Sequence, residues 1–473
     1  MNNFSLNLLT LTNIFEKAST IILIPILANY FGKEIFGFWT QIQTLIPLFL
    51  LILLLNLDNF LVNQFSKKNI HEFKLHLSKI FLMIKVNIFI IIGLLIFQLV
   101  FPDVISIILF NTQENSLFIF IVLAYFFSEA LTSTSITLSK VSNSHSITGM
   151  ALFLKLVIKL FCIGVIIILD LSLTLLLFMM AILNIILALT LILIILKEIG
   201  FKFDLFLKRP FTIIRSSMLF SFITAGMFIA ATIDRFIVLY LLGIEEVAVF
   251  SAAWSIGSLS VIAFFIFVPI IYPIFSASKD LDNYEVKNSI QKFNSVFFII
   301  FVPCIYIFFH YANELFLMFK IQFLLNSNIQ LTLIAASVGA ITYFNYLILL
   351  PLVSMEKKLV FYSLVSIIIL KILLIYFFIV FNYEFMGIGS IVSVIFGSLL
   401  LFNFSKLNFH QLANFKSILQ PIWIIGISFC LSFLLTQNLS ISSIQNLFFE
   451  ILFIGALALI SNKELRGLFL IKE

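Results

Sequence analysis

Apolar runs of about 20 residues recur along the whole chain, and short polar segments separate them. A helix of that length crosses the apolar part of a bilayer and pairs all its backbone groups internally. The sequence therefore predicts an all-α integral membrane protein with about 14 transmembrane helices. The expected spans are residues 8–30, 38–62, 80–101, 116–138, 148–169, 172–196, 213–242, 247–275, 293–312, 328–353, 359–381, 386–404, 418–436 and 444–461.

The composition agrees with a chain embedded in lipid. Of 473 residues, 62% are hydrophobic and only 11% are charged, and the mean hydropathy is +1.20. A soluble domain carries roughly 25% charged residues. No segment is long enough for a separate soluble domain. The net charge of +6 is spread over short loops, so the sequence does not indicate nucleic-acid binding.

Basic residues are distributed unequally between alternate loops. With the N-terminus placed in the cytoplasm, 20 lysines and arginines fall in inside loops, and only Lys33 and Lys320 fall in outside loops. Cytoplasmic loops of membrane proteins carry such an excess. A missed or extra helix would invert the alternation beyond it. The distribution therefore predicts an even number of spans with both termini in the cytoplasm.

A short motif occurs twice, as GKEIFGFW at Gly32–Trp39 and as GIEEVAVF at Gly243–Phe250, 211 residues apart. A second, weaker match links Val104 to Glu314 at an offset of 210. Because an even number of spans separates the copies, the repeat is parallel, about an axis along the membrane normal. We therefore expect two six-helix halves around a central cavity, residues 1–199 and 210–404. Residues 405–473 then supply two further helices and a short cytoplasmic tail.

Charged residues inside spans need a physical reason, since each costs roughly 2.5–3.5 kcal/mol at the centre of a membrane helix. Glu16 and Lys17 share one face of the first span with Asn13 and Thr20, at positions i, i+3, i+4 and i+7. Such a face must point into protein or a water-filled cavity. Two interpretations stay open: the face lines a substrate cavity, or it forms a structural pair between helices.

The seventh span contains the adjacent charges Asp234 and Arg235. Ser217, Thr224 and Arg235 lie close to one helical face, because 18 residues make five full turns. This polar stripe leads to a guanidinium, the side chain best suited to bidentate phosphate contacts. Asp234 lies about 100° further round the helix, where it is expected to face a neighbouring helix. The alternative is a structural pair with other helices.

Three further spans carry charges. Lys155 and Lys159 are i, i+4 neighbours in the fifth span, a spacing at which like charges repel. Glu129, in the Ser/Thr-rich fourth span, is a candidate partner for them. Lys371 lies in the middle of the eleventh span, and the sequence suggests no partner for it. For these sites the functional and structural interpretations are equally open.

Motifs for other chemistry are missing from the sequence. The three cysteines and five histidines do not cluster, so no metal site is predicted. There is no GxxxxGK(S/T) loop, no GxSxG elbow and no HExxH pair. We expect neither an enzyme nor direct use of ATP, and no cofactor. Coupling of transport to a proton or a sodium gradient stays open.

The chain resembles the polysaccharide-transporter branch of the MOP exporter superfamily, the Wzx-type O-antigen flippases. The resemblance rests on five segments and on the layout of twice six plus two spans: Ile24–Ala28, Phe31–Gly37, Asp234–Arg235, Leu241–Gly243 and Val249–Ala253. It implies alternating-access transport of a lipid-linked oligosaccharide of the undecaprenyl-pyrophosphate type across the bacterial inner membrane. It also implies that Lys17 and Arg235 contact the pyrophosphate or anionic sugars. Glu16 and Asp234 would then neutralise these two basic residues or bind the coupling cations.

The implied partners are the lipid-linked oligosaccharide, membrane lipids, a polysaccharide polymerase and a chain-length regulator. The nearest alternative is a multidrug or cation antiporter of the same superfamily, similar to the MATE transporters. The two extra C-terminal helices argue against it. A membrane polysaccharide polymerase or ligase is less favoured, because those enzymes resemble one another in having a long external catalytic loop, and every outside loop here is short.

Overall fold

The computed structural model describes residues 3–55, 57, 77–141, 145–199, 210–258, 284–318, 321–325, 327–353, 357–404, 420–428 and 443–461. The described part of the chain consists of helices and short connections, without a strand. The expectation of an all-α membrane protein is confirmed. The helices are α1 (Asn3–Leu54), α2 (Leu77–Val100), α3 (Pro102–Phe110), α4 (Ser116–Val141), α5 (His145–Leu169), α6 (Leu173–Ile199), α7 (Pro210–Leu242), α8 (Ile244–Gly257), α9 (Tyr284–Met318), α10 (Asn328–Val353), α11 (Lys357–Phe381), α12 (Met386–Phe404) and α13 (Ser443–Ser461).

Ten of the described helices are long and apolar enough to cross a membrane. The first of them, within α1, covers parts of the two spans predicted at 8–30 and 38–62. The predicted spans at 247–275 and 418–436 run beyond the described residues. The predicted span at 444–461 corresponds to α13.

Two long helices are interrupted. In α1 the backbone leaves helical geometry at Gly32, with φ 78° and ψ 175°. That conformation is open to glycine and strained for other residues, so the chain changes direction there without a loop. In α9 the interruption lies at Tyr311, eight residues after the helix-internal Pro303.

The residues form two compact units. One contains residues 1–18, 30–228 and 239–248, and the other contains residues 19–29, 229–238 and 249–473. The predicted division into 1–199, 210–404 and 405–473 stays a prediction.

In the first unit α4 packs against α6 and α2, and α5 packs against α6. In the second unit α12 packs against α11 and α10, while α9 packs against α10 and α13. Aromatic rings fill the α9–α10 contact, with Phe293 stacked 3.6 Å from Tyr346 between ring centroids. Large apolar side chains such as Phe89 (80% exposed) and Ile168 (81% exposed) point outward, as lipid contact requires.

Candidate functional site: charges within the membrane helices

The carboxylate of Asp234 lies at the centre of a three-helix polar cluster in the second unit. Asp234 on α7 forms an ion pair with Lys371 on α11, and both side chains are almost completely buried, at 1% and 0% exposed. Ser390 on α12 donates its hydroxyl to the second carboxylate oxygen at 2.6 Å. Lys371 also donates to the carbonyl of Ala230 at 2.7 Å. The structure thus supplies the partner for Lys371 that the sequence did not suggest.

This arrangement separates the roles of the adjacent Asp234 and Arg235. Consecutive helical residues point in different directions, and the carboxylate turns to α11 and α12 as expected. Asp234 thus forms the contact between helices that the structural interpretation expects, with Lys371 as its partner. A buried ion pair of this kind holds its helices in register, because removing either charge leaves the other unpaired.

Arg235 is held differently. It is only 7% exposed, and its Cζ lies 5.1 Å from the ring centroid of Trp254 and 5.9 Å from that of Phe250, both on α8. These distances allow cation–π attraction. The Nε atom finds no hydrogen-bond partner among the described residues, and neither does the hydroxyl of Ser251, the residue after Phe250 on α8. The guanidinium therefore keeps hydrogen-bonding capacity that the described protein groups do not use.

A second buried acid lies in the first unit. Glu129 on α4 is 3% exposed and accepts from Lys155 Nζ on α5 at 2.6 Å. The side-chain amide of Asn184 on α6 donates to its other oxygen at 2.9 Å. The predicted pairing of Glu129 with a lysine of the fifth span is confirmed for Lys155. Lys159, one turn along α5, is half-buried.

Glu16 and Lys17 lie within α1, but their side chains are outside the described residues. The polar face that they were predicted to form stays a prediction. So does the role of all eight candidate residues in binding a substrate.

The two copies of the repeated motif meet in the first unit. Lys33 Nζ lies 2.8 Å from Glu246 and 3.5 Å from Glu245. Gly37 packs so closely against the backbone of Ile244 that an added Cβ would collide with its carbonyl group. Gly32 and Gly243, which open the two copies, both adopt positive φ, at 78° and 93°. The motif is thus a backbone turn plus a contact surface.

Glu450 and Asn87 are among the buried polar residues that sequence reasoning missed. Glu450 on α13 is 0% exposed and lies beside Tyr306 and Tyr311 of α9. Asn87 on α2 is also fully buried. The signal for both was available, because a polar residue within an expected span is itself a candidate for a functional or structural contact.

The protein family follows from a comparison of the whole sequence with known families. Residues 5–279, more than half of the chain, match the family described as polysaccharide biosynthesis protein. The chain belongs to this family. The resemblance to polysaccharide transporters is thereby confirmed. No curated protein matches the chain in sequence.

Solved structures show the fold of this family member. The chain is similar to the lipid II flippase MurJ in an inward closed conformation, with a TM-score of 0.64 and 12% identity over 98% of this chain and 99% of that one. It also aligns with a MATE protein in complex with MaD5, with a TM-score of 0.49 and 14% identity over 84% and 92% of the two chains. The first likeness extends over essentially the full length and assigns the MurJ-like fold.

Proposed function

We propose that this protein is a flippase that moves a lipid-linked oligosaccharide of the undecaprenyl-pyrophosphate type across the bacterial inner membrane by alternating access. Membership of a polysaccharide biosynthesis family and the MurJ-like fold support a transporter for such a lipid. The flipped product would then be the substrate of a polysaccharide polymerase acting with a chain-length regulator.

The observation that carries the proposal is the state of Arg235. A buried cation is expensive unless it is paired, and the adjacent acid is already paired with Lys371 and Ser390. The rings of Trp254 and Phe250 offset part of that cost without using the N–H donors. A diphosphate that leaves water needs charged donors to replace its hydration, and a guanidinium provides a planar fork for two oxygens. Arg235 is therefore our main substrate-binding residue.

The test is deletion of the gene followed by complementation. We expect the lipid-linked oligosaccharide to accumulate on the cytoplasmic face of the membrane, and the wild-type gene to restore its export. Arg235→Ala should insert normally yet lose at least 90% of export, because it removes the guanidinium that would bind the diphosphate. Arg235→Lys should restore part of it, since it retains the charge without the fork.

The matched control is the double variant Asp234→Leu/Lys371→Met. It removes two charges on the same helices and leaves Arg235 intact, so export per inserted molecule should stay near the wild-type level. Unchanged export in Arg235→Ala would disprove the assignment. Accumulation of a cationic drug, without accumulation of any lipid-linked glycan, would instead establish the antiporter alternative.

We also propose that an ion gradient, of protons or sodium, drives the cycle. The buried acid Glu450 of α13 lies beside Tyr306 and Tyr311 of α9, and the buried acid Glu129 binds Lys155 and Asn184. Transport into vesicles should collapse when a protonophore or a sodium ionophore dissipates the relevant gradient. Transport unaffected by both would refute this coupling.

A further inference from the structure

A cavity of about 400 Å³ opens in the second unit. It is lined by the end of α9, the start of α10 and the short turn before α12. Its walls combine aromatic and aliphatic side chains with amide, hydroxyl and carboxylate groups: Phe309, Asn313, Ser327, Asn328, Ile329, Gln330 and Glu384. The volume lies within the range of small-molecule sites, about 300–1,000 Å³.

Two of the lining amides have unused hydrogen-bonding atoms. Gln330 is only 5% exposed, and its amide nitrogen finds no partner among the described residues. The amide oxygen of Asn328 is likewise buried without a partner there. A buried polar group left unpaired costs about 1–3 kcal/mol. Both residues line the cavity, so their side-chain amides are the candidates for hydrogen bonds to a ligand.

The remaining wall groups narrow the chemistry of that ligand. Side-chain amides offer donors and acceptors together, which matches the hydroxyl groups of a sugar. Phe309 is 50% exposed and offers an apolar ring face for the C–H side of a pyranose. The lining includes a carboxylate and no cation, so an anionic ligand would be repelled.

We propose that this cavity is a binding site for a neutral sugar residue. The alternation of basic loops predicts that the segments 312–328 and 381–386, which contribute to it, lie on the outer side of the membrane. The site would hold an uncharged sugar of the glycan as it emerges. The identity of the sugar as part of a transported glycan rests on the proposed function. The ability to bind a neutral sugar is inferred from the cavity alone.

Binding can be measured on the full chain in lipid nanodiscs, since maltoside detergents carry neutral sugars themselves. Saturation-transfer NMR would use the methyl glycosides of glucose, galactose and mannose, with N-acetylglucosamine and glucuronate added as probes. We expect at least one neutral sugar to bind and glucuronate not to bind. Gln330→Leu should weaken that binding about tenfold, the value of one lost hydrogen bond.

Phe309→Leu changes an exposed side chain, so the variant should fold normally. It should abolish saturation transfer to the C–H protons of the sugar ring. Two matched controls should bind as the wild type does. Phe361→Leu changes a similarly exposed ring on α11 (46% exposed). Thr332→Val removes a hydroxyl on α10 whose hydrogen bond goes to the carbonyl of Asn328.

Three results would overturn the site: no neutral sugar binds, glucuronate binds best, or binding is unchanged in both Gln330→Leu and Phe309→Leu. Failure here is distinguishable from failure of the proposed function. Export of the lipid-linked glycan without sugar binding would remove only this site. Sugar binding that Gln330→Leu weakens, in a cell whose lipid-linked glycans do not accumulate on deletion, would keep the site and remove the flippase.

Discussion

At the scale of single residues, the structure distinguishes buried charges that form ion pairs from the guanidinium of Arg235, whose Nε has no hydrogen-bond partner among the described residues. Asp234 and Lys371 neutralise each other inside the second unit, and Glu129 and Lys155 do so inside the first. Arg235 instead lies against two rings. Each of the paired lysines lies on the fifth helix of a predicted half. A membrane protein can therefore carry buried charges for two reasons, and only the contacts distinguish them.

The Asp234–Lys371 pair should contribute strongly to stability. Asp234→Ala or Lys371→Ala alone leaves a buried charge without its partner, which costs about 3–5 kcal/mol. We expect either single variant to give less folded protein and a lower thermal midpoint in detergent. The double variant Asp234→Leu/Lys371→Met should recover most of the loss, since apolar residues of similar volume replace buried ion pairs at little cost.

The control is a charge at the surface of the same unit. Glu384→Ala, at an exposed position, should change the midpoint little. A double variant that is less stable than either single variant would show that the pair itself is not the source of the stability.

Sequence reasoning identified these charged residues but not most of their contacts. Asp234, Lys371 and Ser390 lie on three helices, with the acid 137 residues from its lysine in the chain. Helical spacing relates residues within one helix and carries no information on partners in another. The Glu129–Lys155 pair was predictable because both residues lie in consecutive spans and complement each other in charge.

At the scale of elements, the repeated motif explains where predicted and observed helices differ. The sequence predicts a loop between the first two spans, whereas α1 continues directly after Gly32. Hydropathy marks where polar residues occur, but it does not show that a single positive φ suffices to redirect a helix. The sequence also predicts a loop before the fourth span where the structure has the short helix α3, because the nine residues of this helix are too few to cross a membrane.

Gly37 should be essential to the contact between the two motif copies. Gly37→Ala would drive a Cβ into the carbonyl group of Ile244, and such overpacking costs about 1–3 kcal/mol. We expect a lower thermal midpoint and weaker association of Lys33 with Glu246. Thermal unfolding of the purified protein measures the first effect.

Gly93→Ala is the matched control for that variant, because nothing lies within 4 Å of the added Cβ. Both glycines are helical, so both substitutions gain similar helix propensity, up to about 1 kcal/mol. Gly93→Ala should thus leave stability unchanged or raise it. Equal thermal midpoints for the two variants would mean that the backbone at Ile244 moves to accommodate the added Cβ without loss of stability.

At the scale of the whole molecule, the Lys33–Glu246 contact joins segments that the sequence assigns to opposite halves, 1–199 and 210–404. The charge alternation predicts that both motif copies lie at the outer side. Alternating access requires an outer contact between halves to open when substrate is released outward. The contact seen here, at 2.8 Å, is therefore expected to exist in only part of the transport cycle.

Reversible cross-linking tests this expectation. In a background with Cys162, Cys304 and Cys430 replaced by alanine, Lys33→Cys/Glu246→Cys can be joined by a short bis-methanethiosulfonate reagent. We expect export of the lipid-linked glycan to fall to background after cross-linking and to return on reduction, because the outer side can no longer open.

The control joins two positions that belong to one predicted half. The hydroxyl of Tyr30 on α1 lies 3.0 Å from Asp170 between α5 and α6, so Tyr30→Cys/Asp170→Cys accepts the same reagent. Its cross-linking should leave export intact, since both positions belong to one half of the predicted repeat. If export instead persisted with positions 33 and 246 fully cross-linked, transport would not require the two motif copies to separate. The repeated motif would then be a permanent structural joint, and alternating access through this face would be excluded.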